Sequence, residues 1–107
     1  MENLVLEKDE LLLKLKLVKE KYQDEGLKLL GIMGSYARDE ADEFSDVDVL
    51  YELNYELFSK RYKDGFSKLL RIDEIKKELE LILNKKVDLV SKKEKFLNEL
   101  VLSLIHI

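Results

Sequence analysis

Two short groups of residues in this chain have the types and the spacing needed to handle a phosphorylated substrate. Gly34 and Ser35 follow an apolar run, and after ten intervening residues come Asp46 and Asp48, separated by one valine. A glycine allows a sharp turn and a close approach of the backbone to a ligand, and a serine hydroxyl can bond to a phosphate oxygen. Carboxylates are oxygen ligands of the kind that Mg²⁺ prefers. The combination predicts metal-assisted nucleotidyl transfer.

Apolar residues recur at every second position of residues 45–53, which is the pattern of a β-strand with one face in a core. The apolar positions on that face are Val47, Val49 and Tyr51. Asp46 and Asp48 therefore share the opposite face, where side chains two residues apart lie roughly 7 Å from each other. Two Mg²⁺ ions about 4 Å apart can bridge such a pair through bound water and phosphate oxygens. Taken alone, an Asp-x-Asp pair is also common on a solvated strand face.

The glycine and serine lie where a strand is expected to give way to a helix. Residues 26–33 predict a buried strand, and residues 36–41 contain no Gly or Pro and can be helical. Free N–H groups at the start of such a helix would face an anion, and Arg38, one turn further, can reach the same phosphates. Alternative interpretations are an ordinary strand-to-helix turn and an Arg38–Asp42 ion pair at i,i+4. The occurrence of both groups at fixed spacing in one chain favours phosphate binding.

A third carboxylate, Asp88, lies in the aliphatic run of residues 85–91, between Val87 and Leu89. The run predicts a short strand whose apolar residues face the core and whose acid faces the other side. An acid in such a strand is costly to bury unless it meets a cation or a donor. If this strand lies beside the Asp46–Asp48 strand, three carboxylates converge, and Asp88 can serve as general base or as a further metal ligand. A strand-end aspartate facing solvent is the alternative.

The motifs Gly-Ser-Tyr-Ala-Arg, Ser-Asp-Val-Asp-Val-Leu and Leu-Asn-Lys-Lys-Val-Asp-Leu-Val together resemble the minimal nucleotidyltransferases of the DNA polymerase β superfamily. The resemblance implies an α/β (α+β) fold with a small mixed sheet flanked by helices. It also implies that Gly34 and Ser35 hold the nucleoside triphosphate, that Asp46 and Asp48 bind the metals, and that Asp88 is the third catalytic acid. Asp39 and Asn84 stand where many relatives have glycine, and neither change removes a catalytic group.

A length of 107 residues predicts a single domain, residues 1–107, without a separate acceptor-binding domain. Within the resembled family, such a catalytic core implies a partner of the HEPN class, the toxin of a toxin and antitoxin pair. The expected reaction is transfer of AMP from ATP to a tyrosine hydroxyl of that toxin, with two Mg²⁺ ions. Three alternatives stay open: a small-molecule acceptor, an antitoxin that acts by binding alone, and a subunit of a larger transferase.

The charge balance disfavours nucleic acid as a substrate, because 19 Lys and Arg stand against 23 Asp and Glu, a formal net charge of -4. The basic run of residues 60–63 is interpreted as a solvated loop, with a partner contact as the alternative. The chain has no cysteine, which fits a reducing compartment. No signal peptide or membrane-spanning stretch is evident. These observations predict a soluble cytoplasmic protein that does not enter a membrane.

The rest of the chain predicts a helical scaffold. Helices are expected over residues 9–24, 66–83 and 92–107. The second carries a broad apolar stripe that includes Leu69 and Leu70, which we expect to face the core. The apolar end, residues 102–107, is expected to form a contact surface rather than core, so a homo-oligomer is possible. His106 lies one residue from the end and receives no role.

Overall fold

The computed structural model describes residues 4–34, 36–37, 45–92 and 105–107. These residues form three helices (α1, Leu4–Gln23; α2, Tyr55–Arg61; α3, Gly65–Leu83) and four strands (β1, Leu27–Met33; β2, Val47–Leu53; β3, Val87–Ser91; β4, Ile105–His106). In these parts of the chain, every helix is too short or too polar to cross a lipid bilayer.

The strands form one mixed sheet in the order β3-β2-β1-β4. Strand β1 is antiparallel to both of its neighbours, while β2 and β3 are parallel. Parallel neighbours need a crossover connection, and here α2 and α3 provide it between β2 and β3. The predicted class, a small mixed sheet flanked by helices, is confirmed.

The main core lies between one face of the sheet and helices α1 and α3. Residues three to four apart lie on one face of a helix, and every second residue lies on one face of a strand. The buried residues of α1 therefore pack on alternate residues of the strands. This core includes Leu11, Leu15, Tyr22, Leu27, Leu29, Ile32, Val47, Val49, Tyr51, Phe58, Ile75, Leu79, Leu83 and Val87. A second, smaller cluster of Met33, Leu50 and Val90 lies on the other face of the sheet. Helix α1 begins at Leu4, five residues before the predicted start at Asp9.

Helix α3 has well-defined caps at both ends. Asp64 precedes it, and the Asp64 carboxylate accepts a hydrogen bond of 2.6 Å from the Ser67 N–H. At the other end Asn84 adopts the left-handed conformation (φ 55°, ψ 41°), which confirms that an asparagine fits this position in place of glycine. The expectation that Leu69 and Leu70 face the core is wrong, because both side chains are exposed. A helix that packs on a sheet buries only one side, and Leu69 and Leu70 lie on the other.

The interpretation of residues 60–63 as a solvated loop is wrong for the first two. Lys60 and Arg61 form the last turn of α2, which begins after Asn54, whose side-chain oxygen accepts a hydrogen bond from the Leu57 N–H. Tyr62 is the C-cap and packs on Phe58, with ring centroids 4.8 Å apart. A helix of seven residues shows too little periodicity to be recognised from sequence.

The closing helix predicted for residues 92–107 is wrong at its end, because Ile105 and His106 form β4 and pair with Ile32 and Gly31. Ile105 and Ile107 pack against the main core, so the expectation of a contact surface is wrong for these two residues. The predicted helical residues 93–104 lie outside the described residues.

A largely buried ionic cluster joins the end of α1, the turn before β1, and α3. Arg71 donates to both oxygens of Glu25, at 2.8 Å from Nε and 2.7 Å from Nη2, and to Glu78 at 3.1 Å. The Tyr62 hydroxyl donates to Glu25 at 2.6 Å, and the Tyr22 hydroxyl donates to Glu78 at 2.8 Å. The hydrogen bonds from Arg71 hold the pKa of Glu25 below its ordinary value. Burial and the bond to Glu78 raise the pKa of Tyr22.

Candidate active site

The parallel pairing of β2 with β3 places two of the predicted catalytic acids side by side. In this register Asp48 and Asp88 are direct partners, and neighbouring strands lie about 4.8 Å apart. Two further hydrogen bonds hold the register at its ends, from the Val47 N–H to the Lys86 carbonyl at 2.8 Å and from the Lys92 N–H to the Tyr51 carbonyl at 2.9 Å. The prediction that the Asp88 strand lies beside the Asp48 strand is confirmed.

Both acids project from the sheet face that α1 and α3 leave uncovered. Val47 and Val49 belong to the main core, so Asp48 between them faces the other way, on the same side as the buried Leu50. Leu50 pairs with Val90 in the next step of the ladder. The acid pair therefore adjoins an apolar pair on one sheet face, with Asp48 half-buried and Asp88 exposed.

Asp46 lies just before this ladder. Strand β2 begins at Val47, two residues later than the predicted start at Ser45, so Asp46 belongs to the segment that enters the strand. Its side chain is exposed, while that of Asp48 is half-buried. An acid outside the hydrogen-bonded strand keeps the conformational freedom to turn toward a ligand, whereas the Asp48 backbone is fixed.

The glycine turn lies directly against Asp48. Gly34 follows Met33, the residue paired with Asp48 in β1, and its φ of +76° falls in the left-handed region that glycine adopts without strain. A Cβ atom built on Gly34 would overlap the Asp48 carboxylate oxygen Oδ2. Beyond the turn, the Tyr36 side chain is buried in the main core and anchors the segment. The predicted tight turn at Gly34 is confirmed.

Two predicted nucleotide-binding residues, Ser35 and Arg38, lie outside the described residues, and so does most of the predicted helix 36–41. Residues 36–37, which are described, form a turn. The roles of Ser35 and Arg38 toward the triphosphate stay predictions.

The donor set at this end of the sheet fits a hard divalent cation. Asp46, Asp48 and Asp88 offer only carboxylate oxygens, the chemistry that Mg²⁺ prefers, and the absence of a side chain at Gly34 leaves room beside Asp48. Among the described residues, which include all three acids, no set of three or more Asp, Glu, His or Cys side chains is placed to hold a metal ion, so the metal-binding role of these acids stays a prediction. Like charges on neighbouring strands repel, and a cation bound between them would offset that repulsion.

One residue at this end of the sheet was missed from the sequence. Glu80, near the end of α3, accepts a hydrogen bond of 3.0 Å at Oε2 from the backbone N–H of Val87, the residue before Asp88. The bond ties the start of β3 to the helix that precedes it and so helps to position Asp88. No sequence signal marks it, because a glutamate in a charged helix usually faces solvent.

Replacing Gly34 with alanine is expected to damage both stability and transfer activity. A left-handed alanine costs about 1–2 kcal/mol, and the new methyl group must displace the Asp48 carboxylate. Thermal melts and the rate of nucleotide transfer would measure the two effects. Gly65→Ala is the matched control, because nothing lies within 4 Å of a Cβ built there. Equal behaviour of the two variants would contradict the close approach of Gly34 to Asp48.

The structure is a small mixed sheet flanked by helices, with a glycine turn set against two paired aspartates. Comparisons with known proteins identify the family to which this fold belongs. A profile of the nucleotidyltransferase domain family matches residues 13–105, which is most of the chain. The chain belongs to this nucleotidyltransferase family.

Individual relatives carry more specific names. The chain is 40% identical over 78 residues to a Methanocaldococcus jannaschii protein named provisionally as a protein adenylyltransferase, covering 73% of this chain and 67% of that one. It is 37% identical over 67 residues to protein adenylyltransferase MntA of Thermococcus cleftensis, covering 63% and 58%. A solved structure titled provisionally as a minimal nucleotidyltransferase superposes with a TM-score of 0.63 at 26% identity, covering 97% and 95%. The chain thus spans about two thirds or less of the length of these two curated relatives.

Proposed function

We propose that residues 1–107 form one Mg²⁺-dependent transferase domain that moves AMP from ATP to a hydroxyl of a protein partner. The partner in this proposal is a toxin of the HEPN class, modified on a tyrosine, and the chain acts as its antitoxin. The observation that carries the proposal is the pairing of Asp48 with Asp88 across β2 and β3, with the Gly34 turn against Asp48. The names of the relatives, protein adenylyltransferases, support a protein as acceptor.

Each residue of the site has a separate task in this reaction. Asp46 and Asp48 would hold two Mg²⁺ ions, with Asp88 completing the ligand set, and the ions would supply charge neutralisation for the triphosphate and a lower pKa for the acceptor hydroxyl. Gly34 and Ser35 bind the triphosphate through backbone N–H groups and a hydroxyl, and Arg38 offers a further charge. In this proposal these contacts would orient the α-phosphorus for attack by the acceptor hydroxyl.

The proposed reaction exchanges one phosphorus–oxygen bond for another. The acceptor hydroxyl oxygen forms a bond to the α-phosphorus of ATP, and the bond from that phosphorus to the bridging oxygen breaks, so pyrophosphate leaves. The proton of the hydroxyl passes to the Asp88 carboxylate. Asp88 is suited to this task because its strand holds its backbone beside that of Asp48 while its side chain stays exposed to an incoming acceptor.

The test uses the purified chain with α-labelled ATP, MgCl₂ and the protein encoded by the neighbouring reading frame. We expect label to move to that protein and its intact mass to rise by one or more AMP groups, with the modified residue a tyrosine. Asp88→Asn should lose the transfer, and Asp9→Asn, an exposed acid on α1, should keep it.

Other outcomes point to the alternatives. Label on an aminoglycoside or another small hydroxyl compound instead of the protein would replace the proposed acceptor. Protection of cells from the toxin by the triple variant of Asp46, Asp48 and Asp88, at the level of the unaltered chain, would show that binding alone neutralises it. Calorimetry that detects no magnesium-dependent association with ATP would overturn the enzymatic proposal itself.

A further inference from the structure

The outward side of α3 exposes more apolar surface than a solvent-facing helix needs. Leu69 is 68% exposed and Leu81 is 84% exposed, and Phe66 and Leu70 also lie on this side, away from the buried Ile75 and Leu79. Single exposed apolar residues are ordinary, but several along one side of one helix indicate a contact surface. We call Phe66, Leu69, Leu70, Asp73, Lys77 and Leu81 the outer face of α3.

The charges on this face are placed so that two identical helices, packed antiparallel, would set acid against base. The apolar residues of the first half are separated from Leu81 by Asp73 and Lys77, which form an i,i+4 ion pair of 3.1 Å on the surface. The acid and the base lie two residues before and two residues after Ile75, near the middle of the helix. When a second α3 lies antiparallel to the first, centred at Ile75, Asp73 of each helix meets Lys77 of the other, and Leu70 meets Leu81.

We propose that a second copy of this chain covers the outer face of α3, in a two-fold dimer whose central contact is an antiparallel pair of α3 helices. An isologous interface requires that one patch be complementary to itself, and a face with an acid and a base placed symmetrically about its centre meets that requirement. Matched charges then fix the antiparallel direction, because a parallel pairing would set Asp73 against Asp73 and Lys77 against Lys77.

The dimer is expected to be weak and dependent on concentration. Helix α3 has 19 residues and is therefore about 28 Å long, so one helix pair buries less surface than a standard stable interface. Helix α3 packs on one face of the sheet, and Asp48 and Asp88 project from the other face. A second copy bound to the outer face of α3 would therefore leave these acids accessible. Dimerisation in this form is compatible with catalysis, and its test does not depend on the proposed function.

The test is a charge exchange followed by sedimentation equilibrium. The unaltered chain is expected to shift from monomer to dimer as its concentration rises over about a hundredfold range. Lys77→Glu alone and Asp73→Lys alone should each weaken self-association by about tenfold or more, because each creates two like-charge contacts across the two-fold axis. An equimolar mixture of the two variants should associate again, because each altered charge then meets its opposite.

Matched controls separate this effect from a change in net charge or in folding. Lys16→Glu and Glu20→Lys alter exposed charges of α1 in the same way and should leave self-association unchanged. Both test positions are largely exposed, with side chains 72% and 52% accessible, so circular dichroism should show folded variants. A chain that stays monomeric throughout, single variants that dimerise normally, a mixture that fails to recover, or a face that binds only a different protein would overturn the proposal.

Discussion

Replacing Asp48 with asparagine is expected to lower the rate of nucleotide transfer by about a thousandfold or more while the protein stays folded. Asp48 is the acid at which the predicted metal site, the Gly34 turn and the Asp88 strand meet. The amide keeps the size of the side chain but removes the negative charge that a divalent cation needs. Transfer of label from ATP at saturating Mg²⁺ would measure the loss.

The same substitution should leave the protein folded, because asparagine keeps the size of the side chain and can still donate and accept hydrogen bonds there. A cooperative thermal unfolding transition in the absence of metal would show this. Added Mg²⁺ should stabilise the unaltered chain and have little effect on Asp48→Asn. Asp9→Asn serves as the control for both measurements. A variant with full activity, or one that responds to Mg²⁺ like the unaltered chain, would contradict the assignment of Asp48 as a metal ligand.

Replacing Arg71 with alanine is expected to destabilise the protein by about 3–5 kcal/mol, because it leaves the buried carboxylate of Glu25 without its cation. Glu25 is only 6% exposed, and Arg71 donates two of the three described hydrogen bonds that the Glu25 carboxylate accepts. For a domain of this size the loss should lower the melting temperature by more than about 10 °C. Thermal and urea unfolding would measure it.

Two further variants make the Arg71 result specific. Lys14→Ala removes the cation of an exposed ion pair with Glu10, at 3.1 Å, and should cost less than about 1 kcal/mol. The double variant Glu25→Gln with Arg71→Ala should recover part of the loss, because no buried charge then remains unpaired. If Arg71→Ala melts like Lys14→Ala, or if the double variant is less stable still, the buried charge is not the cause.

The catalytic end of the fold was largely predictable because its signals are local. The alternation of Val47, Val49 and Tyr51 predicts both the strand and the face on which Asp48 lies. The turn at Gly34 was predictable because glycine adopts the left-handed conformation without strain. The order of strands is not local information, and it is the pairing of β2 with β3 that brings Asp88 to Asp48.

The errors arose where long-range packing decides the outcome. Leu69 and Leu70 fit an apolar helical stripe, yet the core takes Ile75 and Leu79 from the other side of α3. No prediction was made for Glu25, because its partner Arg71 is 46 residues away in the chain and no local pattern marks the pair. The residues around Ile105 are compatible with either a helix or a strand. They form strand β4 because the edge of β1 is free to pair with them.

The ionic cluster around Arg71 and the paired aspartates occupy opposite ends of β1, since the strand runs from the turn that holds Glu25 to the turn at Gly34. Seven strand residues separate the two ends by roughly 23 Å, far enough that substitutions at one end should not alter the energetics of the other. The ionic network that stabilises the fold and the acids proposed for the chemistry can therefore vary independently of each other, except at positions such as Gly34, where the backbone itself demands one residue type.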